Sequence, residues 1–170
     1  MPNESSHEIL DKFKESVILL HGIFEPSFFD FIKDKGHKDI FVLEGRPSLD
    51  AAEDTCRELI KRKMHPTLIA DNMMGFTFYK NLVKEAWIAY ETFDEESVLT
   101  HIGGLIIGVL ANKHNINVNA YAGRRLGQLL GHEKEIFHFN GTQVAPKGIR
   151  GYVPLVEWVP RKYITQIYEK

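Results

Sequence analysis

The chain has 170 residues, a formal charge of −2 and acids interspersed with bases, so it offers no basic field for a polyphosphate backbone and direct nucleic-acid binding is not expected. A single cysteine excludes an intrachain disulfide framework and a cysteine-rich zinc site, and fits a reducing cytoplasm. The length suits one domain, with residues 1–14 as an N-terminal helix and 15–170 as a core that buries about two thirds of the surface its unfolded chain exposes.

The opening "MPNESSHEILDKF" has neither the basic start nor the apolar centre of a signal peptide. Ser16 to His21 is the first short apolar run and reads as a buried strand ending in His-Gly. Asp39 to Leu43 is the second. "PSLDAAEDTCRELIKRK" is a helix, with Pro47 and Ser48 at its start, acids in its early turns and Lys61, Arg62 and Lys63 at its end, as the helix dipole prefers. Leu49, Ala52, Cys56, Leu59 and Ile60 share one face of it, and a mid-helix thiol there is a small core residue, with no helix terminus to lower its pKa.

Further strands follow at Thr67 to Ala70, Ala86 to Tyr90 and Asn117 to Ala122. Val98 to His114 is apolar nearly all round and reads as one buried helix. Gly104 and Gly108, four apart, would let it approach the sheet or another helix closely. Its most apolar window, Ile102 to Ala111, is about half of what a membrane-spanning helix requires, so no membrane association is expected. A last amphipathic stretch, Val159 to Lys170, closes the chain. Alternation of short apolar runs with longer amphipathic ones predicts an α/β fold, a Rossmann-like three-layer domain with a mainly parallel sheet and helices on both faces.

In such a sheet ligands bind beyond the carboxyl ends of the strands. Those ends carry His21-Gly22, Glu44 to Pro47 with Arg46 among them, Asp71-Asn72, Glu91-Thr92 and Gly123 to Arg125. Each polar residue there could equally be a helix cap or a solvated loop residue; Ser48 and Asp71 would cap well. Taken together they are a candidate site, in which Arg46 and Arg124 or Arg125 would hold a phosphate or carboxylate. No G-x-S-x-G, G-x-G-x-x-G or G-x-x-x-x-G-K-[ST] occurs, and the eight histidines show no ligand spacing, so no cofactor and no metal is expected.

"FVLEGRPSLDAAEDTCRELIKRKMHPTLIADN" resembles the family of methylthioribose-1-phosphate isomerase, archaeal ribose-1,5-bisphosphate isomerase and the alpha, beta and delta subunits of translation initiation factor 2B. Glu44, Arg46, Pro47, Leu49, Asp71 and Asn72 match its E-x-R-P strand end and its T-D-N strand end. "IGGLIIGVLANKHNINVNAYAG" is similar to its K-I-G-T helix and following strand, and "VPLVEWVPRKYI" to its N-P-x-F-D-x-T-P close, with Pro154, Glu157 and Pro160 in matching places. The similarity runs from about Ser16 onward. It implies the Rossmann-like domain of that family, without the helical domain that precedes it there.

The departures fall on the family's chemistry. The resemblance places Gly22 where the isomerases carry a reactive cysteine, directly after the histidine matched by His21. Their partner aspartate corresponds to Glu91 if a one-residue gap is allowed. Thr100-His101 stand for their Asn-Lys pair, and Asp50 for their glutamine. Losing one positioned acid or base costs about 10²- to 10⁴-fold in rate. The resemblance therefore implies either a non-catalytic module that binds a phosphosugar or nucleotide, or assembles, through Gly22, Glu44, Arg46, Asp50, Asp71, Asn72, Thr100 and Arg124, or a divergent isomerase in which His21, Glu91 and His101 move the proton. It also implies a homodimer.

Overall fold

A computed structural model describes residues 17–169. The expected N-terminal helix at residues 1–14 lies outside them, as does Ser16. The elements in chain order are β1 (Val17–His21), α1 (Pro26–Asp34), β2 (Ile40–Leu43), α2 (Asp50–Lys61), β3 (Pro66–Ile69), a 3₁₀ turn (Asp71–Met73), α3 (Met74–Tyr79), β4 (Val83–Phe93), β5 (Ser97–His101), α4 (Gly104–His114) and β6 (Asn117–Ala122). Then come a single turn α5 (Lys134–Phe137), a two-residue-per-strand hairpin of β7 (His138–Phe139) and β8 (Thr142–Gln143), β9 (Val156–Pro160), a second 3₁₀ turn (Arg161–Tyr163) and β10 (Gln166–Tyr168).

β1 and β2 are buried along their whole length, which is why they appear in the sequence as unbroken apolar runs rather than alternating ones. Six strands lie in the order β10-β6-β4-β1-β2-β3, every neighbouring pair parallel. β5 and β9 form an antiparallel extension on the far half of β4. One face of the sheet packs Ile18, Leu20, Val42 and Trp87 against Phe28, Phe29 and Ile32 of α1 and Ala52 and Leu59 of α2. The opposite face packs Leu19, Phe41, Ile88 and Ala120 against Met74 and Phe78 of α3 and Ile107 and Ala111 of α4. The domain is thus the three-layer α/β fold that the alternation predicts. Strand order reverses between β1 and β4, so the crevice at the carboxyl ends of these two strands is where such a sheet receives a ligand.

Three stretches differ from expectation. Val98 to His114 is not one helix: Ser97–His101 is a strand paired to β4 and β9, and the helix starts only at Gly104. Val98 and Thr100 are wholly enclosed on one face while Leu99 on the other is half-buried and apolar, and the apolar helix follows after only two residues, which hides the change of period. Val159 to Lys170 is not a continuous amphipathic element; through residue 169 it is the end of β9, a 3₁₀ turn and β10, as its β-branched and aromatic residues favour. In α2 the buried stripe is Ala51, Ala52, Thr55 and Leu59, leaving Ile60 exposed and Cys56 half-buried. Helices α1 and α3 are not among the elements expected from the sequence: α1 has an apolar stripe of Phe28, Phe29 and Ile32 but only nine residues, and α3 has six.

The glycines of α4 do bring it against the sheet extension. A methyl group on Gly108 would lie 2.8 Å from the Tyr163 Cβ, and one on Gly104 would strike the Thr100 hydroxyl. Among the described residues, no helix is long and apolar enough to cross a membrane.

Candidate functional site

β1 delivers His21 to the switch point. The ring is 3 % exposed, and its Nε2–H donates to the Ile102 carbonyl at 2.9 Å, leaving Nδ1 buried without a hydrogen-bond partner. Burial holds its pKa below the ordinary value, against an opposing pull from the Asp71 carboxylate. β5 brings His101 beside it, 7 % exposed, with a buried, unpartnered Nε2. Burial, with a further push from His21, lowers its pKa to about 4. At neutral pH both rings are therefore uncharged, each with a buried nitrogen that has no partner.

Two carboxylates hold the loops around this pair. Asp71, just after β3, accepts hydrogen bonds from the backbone amides of Gly45 (3.0 Å) and Arg46 (2.8 Å), and so fixes the turn after β2 that presents the Arg46 side chain. Glu157 of β9 accepts from the amides of Gly103 (2.7 Å) and Leu105 (3.0 Å), which fixes the turn between His101 and α4. His21, Arg46 and His101, with Gly45, Pro47, Ser48, Ile102, Leu126 and Leu155, enclose a cavity of about 20 Å³. That is room for about one water molecule.

Gly22 follows His21 with φ +100°, and its carbonyl accepts a hydrogen bond from the Thr55 hydroxyl of α2 at 3.0 Å. A side chain built there would place its Cβ 2.8 Å from the Ala89 Cβ of β4. The neighbouring strand thus occupies the space that a side chain at 22 would need.

The other sequence-derived candidates go elsewhere. Glu91 sits in β4 between Tyr90 and Thr92, where the pairing with β5 shifts register, and its carboxylate accepts from the Leu126 amide at 3.1 Å. It lines a separate hollow of about 550 Å³ with Glu25, Tyr90, Arg125 and Glu169, none of which lines the cavity of the histidines. Arg124 pairs with Asp54 of α2. Glu44 lines an apolar hollow with Leu49, Cys56 and Leu68. Thr100 is wholly buried and donates to the His101 carbonyl. Asp50 and Asn72 are exposed. No group of three metal-ligating side chains occurs among the described residues.

Sequence reasoning missed the enclosing residues. Leu126, Leu155 and Phe139, whose ring lies 4.6 Å from the Arg46 guanidinium, all come from the long connection between β6 and β9. Glu157 was visible only as a matched position.

A parallel sheet whose strand order reverses between β1 and β4, with an arginine turn and a buried histidine at that point, defines a Rossmann-like α/β domain. Residues 27–169 match the model of the initiation factor 2 subunit family, and the chain belongs to that family. It is 30 % identical over 147 residues to methylthioribose-1-phosphate isomerase of Geobacter sulfurreducens, covering 79 % of this chain and 42 % of the relative. The corresponding protein of Syntrophobacter fumaroxidans is 31 % identical over 140 residues, 75 % of this chain and 40 % of the relative. The chain therefore spans less than half the length of these curated relatives. Among solved structures, 5-methylthioribose 1-phosphate isomerase from Pyrococcus horikoshii superposes with a TM-score of 0.78 at 23 % identity, over 90 % of this chain and 49 % of its own. The delta subunit of translation initiation factor eIF-2B from A. fulgidus gives 0.77 at 21 %, over 89 % and 51 %.

Proposed function

We propose that this domain is a non-catalytic member of its family, a module that recognises a phosphosugar or nucleotide through Arg46, or assembles with other chains, rather than an isomerase. The observation that carries the reading is Gly22: the resemblance puts a reactive thiol at this place, and here the backbone has a positive φ with Ala89 packed where a side chain would go. Aldose–ketose isomerisation needs a group poised on each side of the sugar. Glu91, the candidate for the opposite side, has its carboxylate on the Leu126 amide and faces a different hollow from His21 and His101.

Arg46 supports retained anion recognition. Its backbone is clamped by Asp71, and its guanidinium meets an aromatic ring rather than a carboxylate in the described contacts. A planar guanidinium of this kind matches phosphate oxygens in pairs. The expected result of calorimetric titration with ribose phosphates, methylthioribose 1-phosphate and nucleoside monophosphates is binding of one class that Arg46→Ala abolishes. Absence of binding at millimolar concentration would remove the ligand reading. Turnover of methylthioribose 1-phosphate by the same preparation, lost in Glu91→Ala, would instead establish the divergent isomerase.

Self-association is part of the same proposal. Met73, Phe76 and Tyr79, three apart, are exposed along the 3₁₀ turn and α3, an apolar surface of the kind that pairs subunits. Sedimentation velocity at micromolar concentration is expected to give a dimer, and a monomer at all concentrations would contradict it.

A further inference from the structure

Residues 123–155, between β6 and β9, hold only the single turn α5 and the β7–β8 hairpin. Connections of this length with so little regular structure are uncommon inside compact domains and are usually functional, active-site lids among them. Its course crosses the carboxyl ends of the central strands. At its start Leu126 is tied to β4 by the Glu91 carboxylate. Its two stems pair with each other, Gly131 donating to the Val153 carbonyl and Leu155 to that of Leu129, and Leu155 in turn accepts from the Ile102 amide beside the histidines. Its far tip, Phe139 in the hairpin, stacks on the Arg46 guanidinium on the β2 side of the crevice.

Both stems contribute to the roof of the small cavity, through Leu126 and Leu155. Beneath that roof lie His21 and His101, each more than nine-tenths buried and each with an unpartnered ring nitrogen. The tip itself is lightly held: both hairpin strands are exposed, and Phe139 keeps 46 % of its surface in solvent.

We propose that residues 123–155 form a strap closed over the β1–β4 crevice, latched at its tip by the Phe139–Arg46 stack, and that release of the latch frees the guanidinium for an anion and lets the stems, with Leu126 and Leu155, draw away from His21 and His101. The anion clause rests on the reading of Arg46 as an anion holder; the latch itself does not. A cation–π contact at an exposed site is weak, so the latch is reversible. The closed form has space for a water only, and a phosphosugar can enter only with the strap displaced.

The test is site-resolved acylation of histidine by diethylpyrocarbonate, followed by mass spectrometry on the whole chain. Phe139→Ala is expected to raise the rates at His21 and His101 by about 2- to 10-fold, while that at exposed His65 stays constant. Equal rates in the variant and the parent protein overturn the latch. Ile60→Ala, which removes an exposed apolar side chain from α2, is the control for general loosening. An equal acceleration there would overturn the proposal too. Titration with inorganic phosphate separates the two readings: acceleration at the histidines without phosphate binding in either protein keeps the strap and removes the anion role of Arg46.

Discussion

Gly22 and Ala89 face each other across β1 and β4 so closely that a methyl group added to the glycine would stand 2.8 Å from the alanine Cβ. Gly22→Cys is therefore expected to strain the fold rather than to seat a thiol in it. Strain at φ +100° and overpacking against β4 together should cost about 2–5 kcal/mol of stability, measured by urea unfolding. Ala89→Gly in the same chain should recover the contact part and leave the backbone part. A stable Gly22→Cys protein that turns over methylthioribose 1-phosphate would refute the assignment of this position.

Asp71 is expected to matter through the turn it holds. Asp71→Ala removes the acceptor of two backbone amides, those of Gly45 and Arg46, and should cost about 2–3 kcal/mol. Asp71→Asn keeps one carbonyl acceptor and should lose about half as much. Both should weaken anion binding in calorimetry, because Arg46 is aimed by this turn; unaltered affinity in a folded Asp71→Ala protein would contradict that link.

The buried histidines set an acid limb for stability. His101 titrates near 4 in the folded protein against 6.5 for the ordinary side chain, because burial and the charge of His21 oppose its protonation. The unfolded chain then binds the proton more readily between these values. Stability is full above about pH 6.5, falls as the pH drops toward 4, and from this residue alone loses roughly 3 kcal/mol. His21, lowered chiefly by its own burial, acts in the same direction. His101→Gln should flatten the slope of unfolding free energy between pH 6.5 and 4, and an unchanged slope would assign the acid limb to other groups.

Gly108 faces Tyr163 at the foot of β9. Alanine there gains about 1 kcal/mol of helix propensity, yet its methyl group would press on the Tyr163 Cβ at 2.8 Å, a conflict of about 1–3 kcal/mol. Gly108→Ala should therefore lower the thermal midpoint by a few degrees. A rise would show that α4 can back away from the strand without loss.

The layers of this fold were legible in the sequence where burial is two-sided and continuous. Val17 to His21 and Ile40 to Leu43 are strands with no polar interruption, and the arginine and histidine at their ends lie where the strand-end rule for parallel sheets puts them. Ser97 to His101 was not legible, because a short strand with the apolar Val98 and Leu99 on its two faces, followed almost at once by an apolar helix, leaves no change of period to read. Nor were the enclosing residues. Phe139 meets Arg46, and Leu155 meets Ile102, through contacts between distant parts of the chain that no local pattern encodes. Glu91 looked like part of the histidine site by its position at a strand end, but the register shift in which it sits sends its carboxylate to Leu126 instead.

That register shift separates two obligations of one strand. Up to Ile88, β4 is locked in parallel between β1 and β6; from Tyr90, the last residue paired with β6, the same strand begins an antiparallel ladder with β5 and, through it, β9. A one-residue slip in a regular ladder would turn every side chain to the wrong face. At Glu91 the surplus residue is already set outside the ladder. An insertion or deletion next to it would be absorbed in the β5–β9 extension without disturbing the alternation that packs Trp87 on one face and Ile88 on the other. The junction thus works as an expansion joint: the outer strands, with the loops they carry to the crevice, can change length and aim while the inner sheet keeps its alignment.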